Sequence, residues 1–143
     1  LKNNHTVSSM IHQIARLENQ FINEKIREIN LNPDQAQALD YIRDHPGTSQ
    51  QPIAKFLGRG AASVSNLIKG LEQRHLLGKQ QNAHNDREKQ LFLTTYGEQA
   101  ALQIAATFDL LNKEIEQHLD NPNQTLTDLT NLYDGLQQAA KEK

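Results

Sequence analysis

The chain has 143 residues, 36% of them apolar, which is the size of one compact domain, but only seven are aromatic (three Tyr, four Phe) and none is Trp. That is thin material for a large self-contained core, so a partner chain is expected to supply part of the burial. The absence of cysteine excludes a disulfide scaffold, thiolate zinc sites and thiol redox chemistry. No apolar run approaches the roughly 18 residues that span a bilayer, and no charged-then-apolar leader is present. A soluble protein of a reducing compartment such as the cytoplasm is expected, and the net charge of −2, taken whole, speaks against nucleic acid.

Residues 7 to 29 place Val7, Met10, Ile11, Ile14, Leu17, Phe21, Ile22, Ile26 and Ile29 at three- and four-residue steps, the period of one helical face. Such a helix is roughly 35 to 45 Å long, more than a small domain covers by itself. Asn32-Pro33-Asp34-Gln35 is the next start signal: a capping Asn, Pro in the first helical position and Gln three residues after the cap. The helix it opens runs to about Asp44 with Ala36, Leu39 and Ile42 inward, and His45-Pro46-Gly47 stops it. Thr48 or Ser49 caps a third, short helix containing Ile53, Ala54, Phe56 and Leu57, with Pro52 early enough to be tolerated. Gly58-Arg59-Gly60 breaks it. From Ala61 to Leu77 the set Ala62, Val64, Leu67, Ile68, Leu71, Leu76 and Leu77 again has helical spacing, and Gly78 is a natural stop. Two helices joined by a short Gly-containing turn form a helix-turn-helix.

Residues 79 to 94 lose the helical period. Asn82 to Asp86 is turn-rich and Leu91 to Thr94 extended in character, which predicts a β-hairpin whose tip carries His84, Asn85, Asp86 and Arg87. After Tyr96-Gly97 a long helix resumes, with Ala101, Ile104, Ala105, Phe108, Leu111, Ile115 and Leu119 on one face. Asp120-Asn121-Pro122 interrupts it, and a last helix shows Leu126, Leu129, Leu132, Leu136 and Ala140. The fold class expected is mainly α with a small β-hairpin wing.

Placed along this chain, the charge separates. Between Lys55 and Lys89 seven basic residues (Lys55, Arg59, Lys69, Arg74, Lys79, Arg87, Lys89) meet three acidic ones (Glu72, Asp86, Glu88), a local +4, and the remainder carries −6. A polyanion-binding segment in an otherwise acidic, soluble chain has this pattern, although a surface fluctuation would also produce it.

The order helix, helix, helix-turn-helix, hairpin, helix, helix resembles the MarR family of winged helix-turn-helix transcription regulators over nearly the whole chain. The most specific part is Asn85-Asp86-Arg87 through Leu91-Phe92-Leu93-Thr94 and Thr95-Tyr96-Gly97, which is similar to the family's wing signature. A second match is Ile53-Ala54-Lys55-Phe56-Leu57-Gly58 leading into Ala62-Ser63-Val64-Ser65-Asn66-Leu67-Ile68 and Leu71-Glu72. There are departures. Asn85 stands where the family usually has an acidic residue that holds the wing arginine, a part Asp86 could take. Arg59 stands at a commonly apolar turn position, and Gly60 replaces the usual Ser or Thr cap, which is acceptable but weaker.

Ser63, Ser65 and Asn66 lie in the first turns of the 61–77 helix, away from its apolar face, with Lys69 close to the same side. Small hydrogen-bonding residues there let a helix sink into the major groove, where Asn reads adenine and Ser pairs with several bases; a merely solvated face is the other reading. Arg87 at the hairpin tip is placed for an adjacent minor groove, and Lys79 and Lys89 on its flanks for phosphate, with Ser49 a further candidate DNA contact. For the two lysines the alternative is a solvated edge-strand charge.

The domain plan expected is an N-terminal dimerisation helix (1–31), a winged helix-turn-helix lobe (32–95) and C-terminal dimerisation helices (96–143). A twofold homodimer on double-stranded DNA implies a pseudo-palindromic operator. Release by a small aromatic or phenolic effector is implied by the resemblance alone; Tyr41, Phe56 and Phe108 are candidate pocket residues, but each is more often plain core. No nucleophile elbow, phosphate loop or His-Glu-x-x-His is present, so no catalytic residue and no cofactor is expected. Glu114 and His118 could share a metal with His12 or His45, but such a pair is more often solvated, and Ala36 and Gln37 offer no ligands where the family's zinc-sensing branch has them. The competing function is a protein-interaction module that kept this scaffold and lost DNA binding.

Overall fold

The computed structural model describes residues 5–82 and 84–142; within the hairpin the side chains at 82 and 85–87 lie outside that description. The elements are α1 (Val7–Glu28), α2 (Pro33–Asp44), α3 (Gln50–Leu57), α4 (Ala61–Gln73), β1 (Leu77–Asn82), β2 (Asn85–Leu93), α5 (Thr95–Gln117) and α6 (Pro122–Lys141). The fold is mainly helical with one antiparallel hairpin, as the sequence pattern predicts. The chain divides into two compact units, Leu1–Phe108 and Asp109–Lys143.

The helix starts follow the capping chemistry. Asn32 Oδ1 accepts from the Gln35 amide at 2.8 Å while Gln35 Oε1 accepts from the Asn32 amide at 3.0 Å, so two otherwise orphaned donors are satisfied reciprocally. Thr6 and Asn121 cap α1 and α6 in the simpler way.

Three helix ends share one device. The chain leaves α1, α3 and α4 through a left-handed residue: Asn30 (φ 58), Gly58 (φ 65) and His75 (φ 60). In each the next amide reaches back to a carbonyl of the last turn: Leu31 to Ile26, Arg59 to Ala54, and Leu76 to Leu71. This is the Schellman closure, which satisfies carbonyls the helix leaves open.

It also corrects the reading of α4. The helix ends at Gln73, not near Leu77, because His75 turns the chain. Leu76 and Leu77 are buried, as their apolar spacing suggests, but from the turn and from β1, and Gly78 sits in that strand opposite Phe92. The hairpin is correspondingly longer. Asn82 pairs with Asn85 and Gln81 with Lys89, an irregular register, so Asn85 opens β2 straight after the turn and Asp86 and Arg87 follow at the irregular step; their side chains lie outside the described ones.

The core of the first unit is Leu39 and Ile42 of α2, Ile53 of α3, Val64, Ile68 and Leu71 of α4, Leu91 of β2 and Ile104 of α5. Ala62, expected inward, is exposed, because it lies nearly opposite Val64 on the helix; Phe56 is 54% exposed. The α2–α3 turn is fastened to the hairpin by Gly47 N donating to Leu91 O and Leu91 N donating to Thr48 O, both at 2.8 Å. Gly97, in the first turn of α5, lies against the Leu76 backbone so closely that a Cβ would stand 1.8 Å from the Leu76 carbonyl oxygen. Thr94 completes this junction: its amide donates to Leu76 O, its hydroxyl donates to His75 O, and Oγ1 accepts from Gly97 N.

Two apolar faces are exposed among the described residues. On α1, Val7, Met10, Ile11, Ile14 and Leu17 are exposed and Ile26 is the buried apolar residue; on α6, Leu126, Leu129, Tyr133 and Leu136 are at least half exposed and no residue is buried. Among the described residues no helix is long and apolar enough to cross a membrane.

Candidate nucleic-acid interface

Helix α4 buries Val64, Ile68 and Leu71, and that choice of inner face determines its outer one. At 100° per residue, Asn66 and Gln73 point almost directly away from the core, Ala62 and Lys69 stand beside them, and Ser63 and Gly70 form one flank. Ser63, Asn66, Lys69 and Gln73 are exposed, whereas Ser65 is half-buried on the opposite flank. The outer face is thus small at its start and hydrogen-bonding through its length. Gln73 joins this face through the same periodicity, run one turn further.

The structure brings three other candidates together. Ser49, Lys79 and Lys89 line one cleft of about 370 Å³ with Gln50, Gln51 and Glu88, between the start of α3 and the hairpin. Ser49 stands at the cap of α3 but its side chain makes no capping bond, so it leaves the first amides of the helix without a side-chain acceptor. Gln50 and Gln51 join the candidates; their signal is the helix start itself. Lys79 is less free than its sequence position suggests: its side chain is only 19% exposed and its Nζ lies 3.7 Å from Glu72 Oε1. Lys89 is exposed. The Arg87 side chain lies outside the described ones.

Arg59, flagged as unusual at the turn, donates from Nε to Asp34 Oδ2 at 3.1 Å. Glu114 and His118 form an exposed pair at 3.3 Å, and among the described residues no group of three or more His, Asp or Glu is placed to hold a metal ion. The pocket candidates separate. Phe108 lines a cavity of about 290 Å³ with Asn19, Ile22 and Ile26 of α1 and Pro33 and Ala36 of α2. Tyr41 instead stacks on His45 at 4.1 Å between ring centroids and leans on Phe56 at 5.1 Å, away from that cavity.

A helix-turn-helix whose second helix shows a polar outer face, followed directly by an antiparallel hairpin, is a winged helix-turn-helix. The MarR family pattern matches residues 31–89. Among solved structures, the S. aureus MepR–DNA complex is 27% identical over 93% of this chain and 98% of its own, with a TM-score of 0.79. MepR in its DNA-binding conformation gives 26%, 94%, 98% and 0.78, and MepR described as a transcription regulator of the Staphylococcus aureus multidrug efflux pump MepA gives 26%, 94%, 98% and 0.75. The comparison with curated protein sequences returned no match. The chain thus carries a MarR-family match over residues 31–89 and shares the winged-helix fold of the DNA-binding regulator MepR.

Proposed function

We propose that this protein is a sequence-specific repressor that binds a pseudo-palindromic operator as a homodimer and is released by a small ligand. The observation that carries the DNA part is the outer face of α4, exposed from Ser63 through Asn66 and Lys69 to Gln73, beside a cleft where Ser49, Lys79 and Lys89 meet at a helix start. In this reading α4 enters the major groove, with Asn66 and Ser63 on base edges and Lys69 toward the groove wall. Ser65, half-buried, is confined to the groove's margin. The cleft takes a phosphate, with Lys89 as its freer cation, and Arg87 reaches the neighbouring minor groove. That MepR was solved with DNA in a closely similar fold supports this assignment.

The homodimer is supported by the bare apolar faces of α1 and α6, which are too extensive for an isolated soluble chain. Twofold pairing sets two α4 helices about one DNA turn apart and so gives the operator its symmetry. Ligand release is supported by the cavity between α1, α2 and Phe108; a cavity of about 150 Å³ already holds benzene, so a substituted ring fits this one. A ligand that prefers one dimer geometry shifts the population toward it and withdraws one α4 from its groove.

The decisive experiment is selection of bound sequences from a random DNA pool, followed by affinity for the winner across a salt series. A recovered inverted repeat and an affinity that falls steeply as salt rises are expected. An affinity indifferent to salt removes the phosphate contacts and leaves the protein-interaction module as the reading.

A further inference from the structure

Both ends of α4 are fastened to the same short stretch of chain, which runs from the end of α1 into the first turn of α2. Ahead of the helix, the Arg59 guanidinium donates to Asp34 in the first turn of α2. Behind it, Arg74, the C-cap residue, donates to the carbonyl oxygens of Asn30 and of Ile29, the latter at 3.4 Å. Those carbonyls stand at the end of α1, where no helical amide remains to meet them. The two arginines, fifteen positions apart in sequence, therefore grip residues 29 to 34 like two hands on one rail.

Stability does not explain the arrangement. Arg59 and Asp34 are 54% and 34% exposed, and exposed pairs of this kind contribute little. What an arginine fork does supply is direction, because its donors are held in a rigid plane. Direction is what α4 lacks at its start, where Gly60 caps the helix without a side-chain bond. The same stretch of chain borders open space: Pro33 lines the cavity between α1 and α2, and Leu31, Asn32 and Pro33 line a second one of about 250 Å³.

We propose that Arg59 and Arg74 are positioning residues for DNA recognition, setting the tilt and axial placement of α4 from residues 29 to 34 without touching DNA themselves. This rests on the reading of α4 as the recognition helix. It reassigns two of the seven cations that make the segment basic, and it makes an acidic residue, Asp34, a contributor to affinity for a polyanion. That sign is the opposite of what simple electrostatics gives, which is why it can be tested.

The test measures affinity of the whole protein for the selected duplex over a salt series, for Asp34→Asn, Arg59→Gln, the double variant, Arg74→Gln and Arg74→Lys. Asp34→Asn is expected to weaken binding by about three- to tenfold although it removes a negative charge. Arg59→Gln should lose about as much, and the double variant no more than either single one. Arg74→Gln should lose about tenfold, partly restored by Lys. The slope of log affinity against log salt stays at the wild-type value throughout. Binding by Asp34→Asn as tight as wild type or tighter, or a slope lower by about one in either arginine variant as a lost phosphate contact gives, overturns the assignment. Asp34→Asn decides alone if the Arg74 variants lose their fold, checked by circular dichroism. Wild-type protein without salt-dependent DNA affinity overturns the DNA-binding reading itself, before any variant is compared.

Discussion

Gly97→Ala is the smallest substitution with a large expected cost, and the structure gives its size. The added Cβ would stand 1.8 Å from Leu76 O and 2.9 Å from Leu76 C, so helix and hairpin must separate by more than about 1 Å for an ordinary contact. That separation stretches the Thr94 N to Leu76 O bond, already 3.2 Å long, and the hydroxyl bond from Thr94 to His75 O. Overpacking costs about 1–3 kcal/mol and each lost bond about 1; alanine's helix propensity returns just under about 1. The net is a loss of about 2–4 kcal/mol, a fall in Tm of roughly 5–15 °C for a chain of this length. Gly70→Ala is the internal control. It adds the same methyl group to the interior of α4, where nothing lies within 4 Å, so it should stabilise by about 0.5–1 kcal/mol. Urea unfolding followed by circular dichroism, at one fixed protein concentration because a dimer's midpoint depends on it, measures both. Equal stability of Gly97→Ala and wild type would refute the contact, and two losses of the same size would refute the reasoning from space.

His75→Gly should raise stability by up to about 1 kcal/mol in the same assay, since a left-handed conformation costs a side chain more than glycine, while the carbonyl that accepts from Thr94 is retained. Asp40 is held above the ordinary aspartate value of 3.8 by burial first and the Asp44 charge second, with Arg43 opposing. Its ionised form is therefore disfavoured in the fold. The cost is absent below pH 3.8, grows as pH rises toward the raised folded value and persists above it. Asp40→Asn should accordingly gain stability relative to wild type between pH 3.5 and pH 7, and a constant difference between those pH values would contradict the shift. Arg87→Ala should weaken operator binding by about 1–3 kcal/mol in a gel-shift titration, with the dimer intact by light scattering; unchanged affinity removes the hairpin from the interface. Leu129→Glu or Leu136→Glu should convert a dimer to monomer at micromolar concentration in sizing chromatography, and a wild-type monomer there would refute the interface.

How far the sequence carried depended on whether a signal was local. The capping box at Asn32 and Gln35 and the stop at Gly58 are written in adjacent residues, and the helices begin and end there. The end of α4 is not so written, because Leu76 and Leu77 prolong the apolar period and Gly78 offers a plausible stop, while a histidine gives no sign of turning left-handed. The exposed positions Ser63, Asn66 and Lys69 follow from helical period alone. The partners of Lys79 and Arg59 do not: Glu72 and Asp34 lie in other elements, and only folding brings them near. The same holds for Phe56. Its apolar character predicts burial, but its place on α3 faces Tyr41 at the surface.

The early close of α4 at His75 also acts as a ruler. Had the helix continued through Leu77, those four residues would have carried the chain about 6 Å farther along the axis and about 40° around it. The hairpin would then leave from a different height and azimuth. Two adjacent grooves of a duplex have a fixed offset, so a protein that reads both must hold its two readers at a matching offset. One backbone angle, at a residue that touches neither groove in this reading, sets that distance.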